Sequence, residues 1–117
     1  AKGFLKPALN RPNLRLIKQA EVSRLLFEGP RVVGVEYAGP KGKATVKAEA
    51  EVILAAGAIG TPKLLQLSGV GSGEALRDLG IPVVADLPGV GANLQDHLQL
   101  RPVFKVHGVR TLNVEYQ

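Results

Sequence analysis

The sequence predicts a fold of the α/β or α+β class, built from an antiparallel β-meander, one apolar strand and short helices. Three features predict it. Between residues 21 and 50, apolar and polar side chains alternate along short segments separated by Gly–Pro and Gly-rich turns, as in strands joined by hairpins. The run "VILAA" at residues 52–56 is apolar without alternation. Two leucine-bearing segments between Thr61 and Ile81 begin and end at residues typical of helix ends.

Alternation of apolar and polar residues predicts the strands of the meander. Leu14 and Leu16 flank Arg15, and further along the chain Val35 and Tyr37 share one face of a period-2 pattern. The turn "GPKGK" then joins two of the segments. Four segments are therefore predicted as strands: residues 13–19, 21–29, 31–39 and 44–50.

The apolar run at 52–56 predicts a different kind of strand. A strand without alternation is typical of one that is covered on both faces, as in a parallel sheet. The small residues at its end, Ala55, Ala56 and Gly57, would let a bulky group approach the backbone closely.

Two helices are predicted after this strand. Thr61 is placed as an N-cap with Pro62 in the first helical position, and Leu64, Leu65 and Leu67 supply a buried face.

The second helix is predicted over residues 73–79. Ser72 is its expected cap, Gly80 takes the left-handed position after its last turn, and Ile81 packs back on Leu76, as in a Schellman ending. A short strand at 83–85 and a last strand at 100–106 complete the expected elements.

Composition limits the classes of function. The chain has 117 residues, enough for one domain with a moderate core, and no cysteine, which excludes disulfides and thiolate chemistry. No apolar run approaches the roughly 20 residues that span a bilayer. The net charge of +5 is dispersed rather than clustered, and the aromatic residues do not interleave with the basic ones. A nucleic-acid partner is therefore not expected.

The residues by themselves do not assemble a catalytic or metal site. The glycines around Gly57 do not form a G-x-G-x-x-G fingerprint, and no Walker-type Gly-Lys-Ser/Thr occurs. His97 and His107 lie in different segments, and Asp96 next to His97 does not make a dyad, because consecutive side chains diverge on most backbones. We expect no catalytic residue and no metal ligand in this chain.

A family resemblance adds to this interpretation. The stretch "VILAAGAIGTPKLLQLSGVG" at 52–71 closely resembles the second signature of the glucose-methanol-choline (GMC) oxidoreductases, which are flavoproteins. The resemblance continues through "LGIPVVADLPGVGANLQDH" at 79–97 and back through residues 4–37, in the order that the family has them. It is strongest toward the choline- and alcohol-dehydrogenase-like branch. The resemblance implies that residues 1–117 are part of an FAD-binding domain, with 93–117 beginning the transition to the substrate domain.

The resemblance also implies roles for particular residues. The Ala-x-Val segment, here Ala20 and Val22, would lie against the adenine end of FAD, with Val22 using its backbone. Ala55, Ala56 and Gly57 would pass close to the dinucleotide, although Gly57 could instead serve only as the glycine that enters the helix. The loop containing Asn93, Gln95, Asp96 and His97 is interpreted as structural, with Asp96 accepting backbone hydrogen bonds.

Two parts of the family pattern are missing, namely the Gly-rich βαβ unit that binds the pyrophosphate and the catalytic histidine toward the C-terminus. We therefore expect an internal fragment that binds FAD weakly or not at all. The full-length protein is expected to oxidise a small alcohol and to lie in the cytoplasm or peripherally on a membrane.

The apolar strand at 52–56 would leave the fragment self-associated, as a symmetric dimer or by exchange of a segment. Two alternatives are a non-catalytic binding module derived from a flavoprotein and a small basic nucleic-acid-binding domain.

Overall fold

The computed structural model describes residues 3–110. A three-stranded antiparallel sheet in the order β1-β2-β3 is followed by helices and a two-stranded parallel pair, β4-β5. The elements in chain order are α1 Leu5–Ala8, β1 Glu21–Glu28, β2 Arg31–Gly39, β3 Gly42–Lys47, α2 Gly57–Leu67, β4 Val70–Gly71, α3 Gly73–Asp78 and β5 Ala85–Asp86. The predicted mixed class, with a meander and short helices, is confirmed.

The meander forms through two tight turns. Glu28 pairs with Arg31 at the first turn, where Gly29 has a φ of +58°. Gly39 pairs with Gly42 at the second, which leaves Pro40 and Lys41 as its loop. The predicted segments 21–29 and 31–39 match β1 and β2 closely, because alternation and turn residues are local signals.

Three predicted strands do not form. No strand is assigned to residues 13–19, 52–56 or 100–106 within the described chain. Leu14 and Leu16 are 40% and 45% exposed. Side-chain alternation favours an extended backbone, but a strand also needs a neighbour to accept its hydrogen bonds. None of these segments has that neighbour within residues 3–110.

The apolar segment at 52–56 is less buried than predicted. It was predicted to be covered on both faces, yet Val52 and Leu54 are half-buried while Ile53 is 79% exposed. Residues 52–54 make no hydrogen bond in the described chain. One face of this segment contacts the core, and the other face and the backbone are open.

Helix α2 begins earlier than predicted, at Gly57 rather than at Pro62. Thr61 is therefore not the N-cap. It lies inside the helix, where its Oγ1 accepts a hydrogen bond from the N–H of Ala56, the residue before the helix, at 3.1 Å. Pro62 lies within the helix, where its missing N–H removes one bond in the second turn. The left-handed φ of +81° at Gly57 turns the chain into the helix.

Helix α3 ends as predicted and begins differently. The Ile81 N–H donates to the Leu76 carbonyl at 2.8 Å and the Gly80 N–H to the Arg77 carbonyl at 2.9 Å. With a φ of +70° at Gly80, these bonds form the expected Schellman ending. Ser72, however, makes no side-chain cap.

Asp86 replaces the expected serine cap. Its Oδ1 accepts the Gly73 N–H at 2.8 Å, so a carboxylate from β5, distant in sequence, satisfies the helix start. β5 itself begins at the end of the predicted strand 83–85 and pairs with β4 in parallel. The buried apolar residues of the described chain lie on β1, α2, β4 and α3 in turn: Leu25, Leu64, Val70 and Leu76.

Candidate functional site

A cleft of about 1270 Å³ opens between β1 and α2; we call it the β1–α2 cleft. Its walls are the chain that enters β1, the first residues of β1, the segment 52–56 and one face of α2. Most of the side chains that line it are apolar and several are alanine or glycine. The cleft can therefore accept a bulky group against backbone and methyl groups.

Four of the five residues predicted to contact a cofactor lie together in this cleft. Ala20 and Val22 line it from the side of β1, and Ala55 and Ala56 line it from the opposite side. Residues 20–22 and 55–56 are far apart in sequence, so the meander and α2 bring them together. Gly57 is adjacent but does not line the cleft. Its hydrogen in place of a side chain is required first of all by its φ of +81°.

A buried serine holds the two sides of the cleft together. The Ser68 Oγ accepts the Leu25 N–H from β1 at 2.8 Å and donates to the Leu64 carbonyl of α2 at 2.6 Å. Ser68 is 8% exposed. The hydroxyl oxygen accepts a hydrogen bond from an N–H on the outer side of an edge strand. This bond fixes the position of α2 relative to β1. Ser68 was not predicted as a functional residue, because a serine at the end of a helix carries no sign of its distant partner.

Charge is sparse in the cleft. Glu21 and Lys63 are the two charged residues among those that line it. Ser23, at the same wall, donates to Glu36 at 3.1 Å, and Arg24 forms a salt bridge with Glu36 at 3.1 Å. The hydrogen bonds from Ser23 and Arg24 lower the pKa of Glu36 below its usual value. Glu36 is therefore held in its charged form beside the cleft.

A second groove of about 830 Å³ lies on another face of α2, against residues 89–95. The Gln66 Nε2 donates to the Val90 carbonyl at 3.1 Å and holds this loop against the helix. Gly91 has a φ of +82°, and a Cβ there would lie 2.6 Å from the Gln66 amide nitrogen. Gln66, like Ser68, was not predicted from the sequence, because its partner lies 24 positions further along the chain.

One predicted contact in the loop that contains Asp96 is present. The Asp96 Oδ1 accepts the His97 backbone N–H at 2.9 Å, which confirms that this carboxylate accepts a backbone hydrogen bond. Among residues 3–110, no three His, Asp or Glu side chains come together in a way that could hold a metal ion. No helix in the same range has both the length and the apolar character needed to cross a membrane.

Comparison with known proteins decides the family. A family model described as GMC oxidoreductase matches residues 1–99. The chain belongs to the GMC oxidoreductase family. GMC oxidoreductases are FAD-dependent and act on CH–OH donors.

Similar GMC proteins include two curated choline dehydrogenases. The mitochondrial choline dehydrogenase of Mus musculus is 59% identical over 102 residues, which cover 86% of this chain and 17% of the relative. The oxygen-dependent choline dehydrogenase of Burkholderia thailandensis is 52% identical over 100 residues, which cover 86% of this chain and 18% of the relative. The chain thus spans less than a fifth of the length of these relatives.

Solved structures of flavin-dependent oxidases and oxidoreductases are also similar to this chain in fold and sequence. A fungal aryl-alcohol oxidase superposes with a TM-score of 0.73 at 45% identity, covering 78% of this chain and 16% of that chain. An FAD-dependent oxidoreductase from Chaetomium thermophilum superposes with a TM-score of 0.67 at 45% identity, covering 72% of this chain and 15% of that chain.

The residues that line the β1–α2 cleft are compatible with a ligand such as FAD that lies close to the backbone. Its alanine-rich wall leaves the backbone accessible, and a Cβ added at Gly60 would lie 3.0 Å from the Ala56 Cβ, so the small side chains at the start of α2 are closely packed. Lys63 offers one cation for a ligand that carries a diphosphate.

Proposed function

We propose that this chain is part of an FAD-dependent alcohol oxidoreductase of the choline/alcohol dehydrogenase-like branch and forms one wall of its FAD site. Residues 1–117 would belong to the FAD-binding domain, with 93–117 leading toward the substrate domain. The observation that carries the proposal is the convergence of Ala20, Val22, Ala55 and Ala56 on one cleft. These residues were selected from the family pattern, and the fold brings them together from two separate parts of the chain.

Each wall of the cleft would make a different kind of contact. Ala20 and the backbone of Val22 would contact the adenine end, while Ala55, Ala56 and the adjacent Gly57 would let the dinucleotide lie close to the backbone. When bound, FAD would accept the hydride released by the alcohol carbon. The described residues of this chain would bind and orient the cofactor. No catalytic role is proposed for His97 or His107, and the substrate would be a small alcohol bound elsewhere in the full-length protein.

Filling the cleft wall tests the proposal in a full-length protein that carries this segment. Ala55→Leu places a branched side chain into the cleft from an exposed position, so we expect FAD affinity to fall about tenfold or more, or ~1.4 kcal/mol, while the fold is retained. The measurement is flavin absorbance per protein after gel filtration, together with an FAD titration of the apoprotein. Ala50→Leu is the matched control, because Ala50 is also exposed but does not line the cleft. Equal flavin retention in both variants would remove Ala55 from the cofactor wall.

The 117-residue chain by itself is expected to retain little or no FAD. Its cleft contributes one lysine and no glycine-rich helix start of the kind that binds a pyrophosphate. Purification without added flavin should give a colourless protein, and FAD fluorescence should be unchanged on addition of the chain. Stoichiometric flavin absorbance in the purified chain would show that the cleft alone is sufficient.

A second proposal concerns association and is favoured by a separate observation, the open backbone at residues 52–54. We propose that the isolated chain self-associates as a symmetric dimer through this segment. Ile53 is 79% exposed, and its neighbours on both sides are half-buried apolar residues. An apolar segment with free N–H and C=O groups favours pairing with another chain. A non-catalytic interaction module, the alternative function, would use the same segment.

A further inference from the structure

The hydroxyl of Ser68 is held in a defined position at the end of α2. Ser68 follows the last residue of the helix, and its backbone N–H donates to the carbonyls of Leu64 and Leu65 at 3.1 and 3.0 Å. Its Oγ donates to the same Leu64 carbonyl at 2.6 Å. The next residue is Gly69, where a Cβ would lie 2.3 Å from the Pro82 carbonyl oxygen. The chain is therefore closely held on both sides of this hydroxyl.

The Ser68 hydroxyl is also the polar link between α2 and the sheet. Within residues 3–110, the bond from the Leu25 N–H to the Ser68 Oγ is the one hydrogen bond that joins β1 to the end of α2. Both residues are buried, so water does not compete easily for the bond. Apolar contacts are not directional, whereas a hydrogen bond restricts both distance and angle. This bond therefore sets how α2 lies against β1.

Both ends of this link are next to the β1–α2 cleft. Leu64, which accepts the Ser68 hydrogen bond, lines the cleft from α2, and Val22 lines it from β1. The pairing of β1 with β2 is irregular between Val22 and Arg24, and an irregularity of this kind bends a strand and redirects its side chains. Leu25 follows that irregular section directly. Its bond to Ser68 therefore anchors β1 beside the section that carries Val22 into the cleft.

We propose that Ser68 is a positioning residue for the cofactor, one that sets the separation of the two cleft walls without contacting FAD. Ser68 does not line the cleft itself. Ala55 and Ala56 directly precede α2, and the hydrogen bonds along an α-helix make its two ends move together. Without the hydroxyl, the Leu25 N–H needs another acceptor, and a water molecule in that place would push β1 and α2 apart. The inference rests on the proposed function of the cleft.

The test uses a full-length protein that carries this segment. In Ser68→Ala we expect the dissociation constant of FAD, measured by titration of the apoprotein, to rise about fivefold or more. Amide hydrogen exchange at residues 22–25 should also be faster in the FAD-bound variant than in the FAD-bound parent. Ser68→Thr retains a hydroxyl and should bind FAD with a dissociation constant within about twofold of the parent value. Ser68→Cys, whose thiol is a weaker acceptor, should give an intermediate dissociation constant.

Leu76→Val is the matched control for lost stability. Leu76 is 2% exposed, but it lies in α3 and does not line the cleft. Its substitution removes buried apolar contact without changing the link between β1 and α2. We expect a lower urea midpoint in this variant, with an unchanged dissociation constant of FAD and unchanged exchange at residues 22–25.

Several results would overturn the positioning role. One is an equal rise of the dissociation constant in Ser68→Ala and Leu76→Val, because Ser68 would then act only through stability. Others are an unchanged constant in Ser68→Ala or Ser68→Cys, and a folded Ser68→Thr that binds FAD as weakly as Ser68→Ala. Ala55→Leu separates this inference from the proposed function, because Ala55 lines the cleft. If Ala55→Leu weakens FAD binding and Ser68→Ala does not, the positioning role alone fails. If neither variant weakens it, both proposals fail.

Discussion

Gly69→Ala is expected to destabilise the chain by about 3–5 kcal/mol and to separate β4 from β5. Gly69 has a φ of +88°, and a Cβ there would lie 2.3 Å from the Pro82 carbonyl oxygen and 2.9 Å from a Val84 methyl group. The Gly69 carbonyl also accepts the N–H groups of Val84 and Ala85, at 2.7 and 3.1 Å. A methyl group at this position must push away the backbone that its own carbonyl holds. Urea unfolding followed by far-UV circular dichroism, at one fixed chain concentration, measures the change.

Gly42→Ala is the matched control for that substitution. Gly42 has a similar φ of +99°, but a Cβ there would meet nothing within 4 Å. The Gly42→Ala substitution should therefore lower the free energy of unfolding only by the cost of a left-handed conformation, about 1–2 kcal/mol. The difference between the two variants reports the collision with the Pro82 segment. Equal losses would mean that the chain near Pro82 moves aside freely and that the β4–β5 pair is not a rigid element.

Ser68→Ala is expected to lower the free energy of unfolding by about 1–3 kcal/mol, because it leaves a buried backbone N–H without an acceptor. The N–H is that of Leu25, which is 5% exposed and bonds to the Ser68 Oγ. Water cannot easily replace the lost oxygen at such a position. The same denaturation measurement applies, and amide hydrogen exchange at Leu25 should accelerate in the variant.

Ser72→Ala supplies the comparison within the same chain. Ser72 was predicted to cap α3, but its side chain makes no cap bond and Asp86 holds that helix start instead. Its removal is expected to change stability by no more than about 0.5 kcal/mol. A loss at Ser72 as large as that at Ser68 would indicate that the serine, and not the carboxylate of Asp86, satisfies the first turn of α3.

Features that depend on neighbouring residues were predicted well. The strands β1 and β2, the turn at residues 39–42 and the Schellman ending at Gly80 each result from interactions within a few positions of the chain. The backbone conformation that glycine permits and the alternation of side chains along a strand are set locally. Four residues that line the candidate cleft were named beforehand through the family resemblance, and only the tertiary structure could show that Ala20 and Ala55 lie on the same cleft.

Features that depend on distant partners were predicted poorly. The segments 13–19, 52–56 and 100–106 have strand-like patterns, yet none is a strand within residues 3–110. A pattern of apolar residues states which face a segment would bury, but not whether another strand is present to accept its hydrogen bonds. The start of α2 was predicted at Pro62 and lies at Gly57, which agrees with the alternative interpretation of Gly57 as the glycine that enters the helix. The positive φ of Gly57 and the Thr61 hydroxyl on the Ala56 N–H accompany this earlier start.

The sequence alone determined the family, the meander and the exclusion of disulfide and thiolate chemistry. Motifs, the alternation of side chains and the absence of cysteine can all be seen directly in the sequence. The tertiary structure alone decided which groups meet. It placed the Ser68 hydroxyl on the N–H of an edge strand and the Asp86 carboxylate on the start of α3. It also left Ile53 exposed at one wall of the β1–α2 cleft. Hydrogen bonds between residues 13 or 43 positions apart depend on how the elements pack, and no local pattern of side chains encodes that distance.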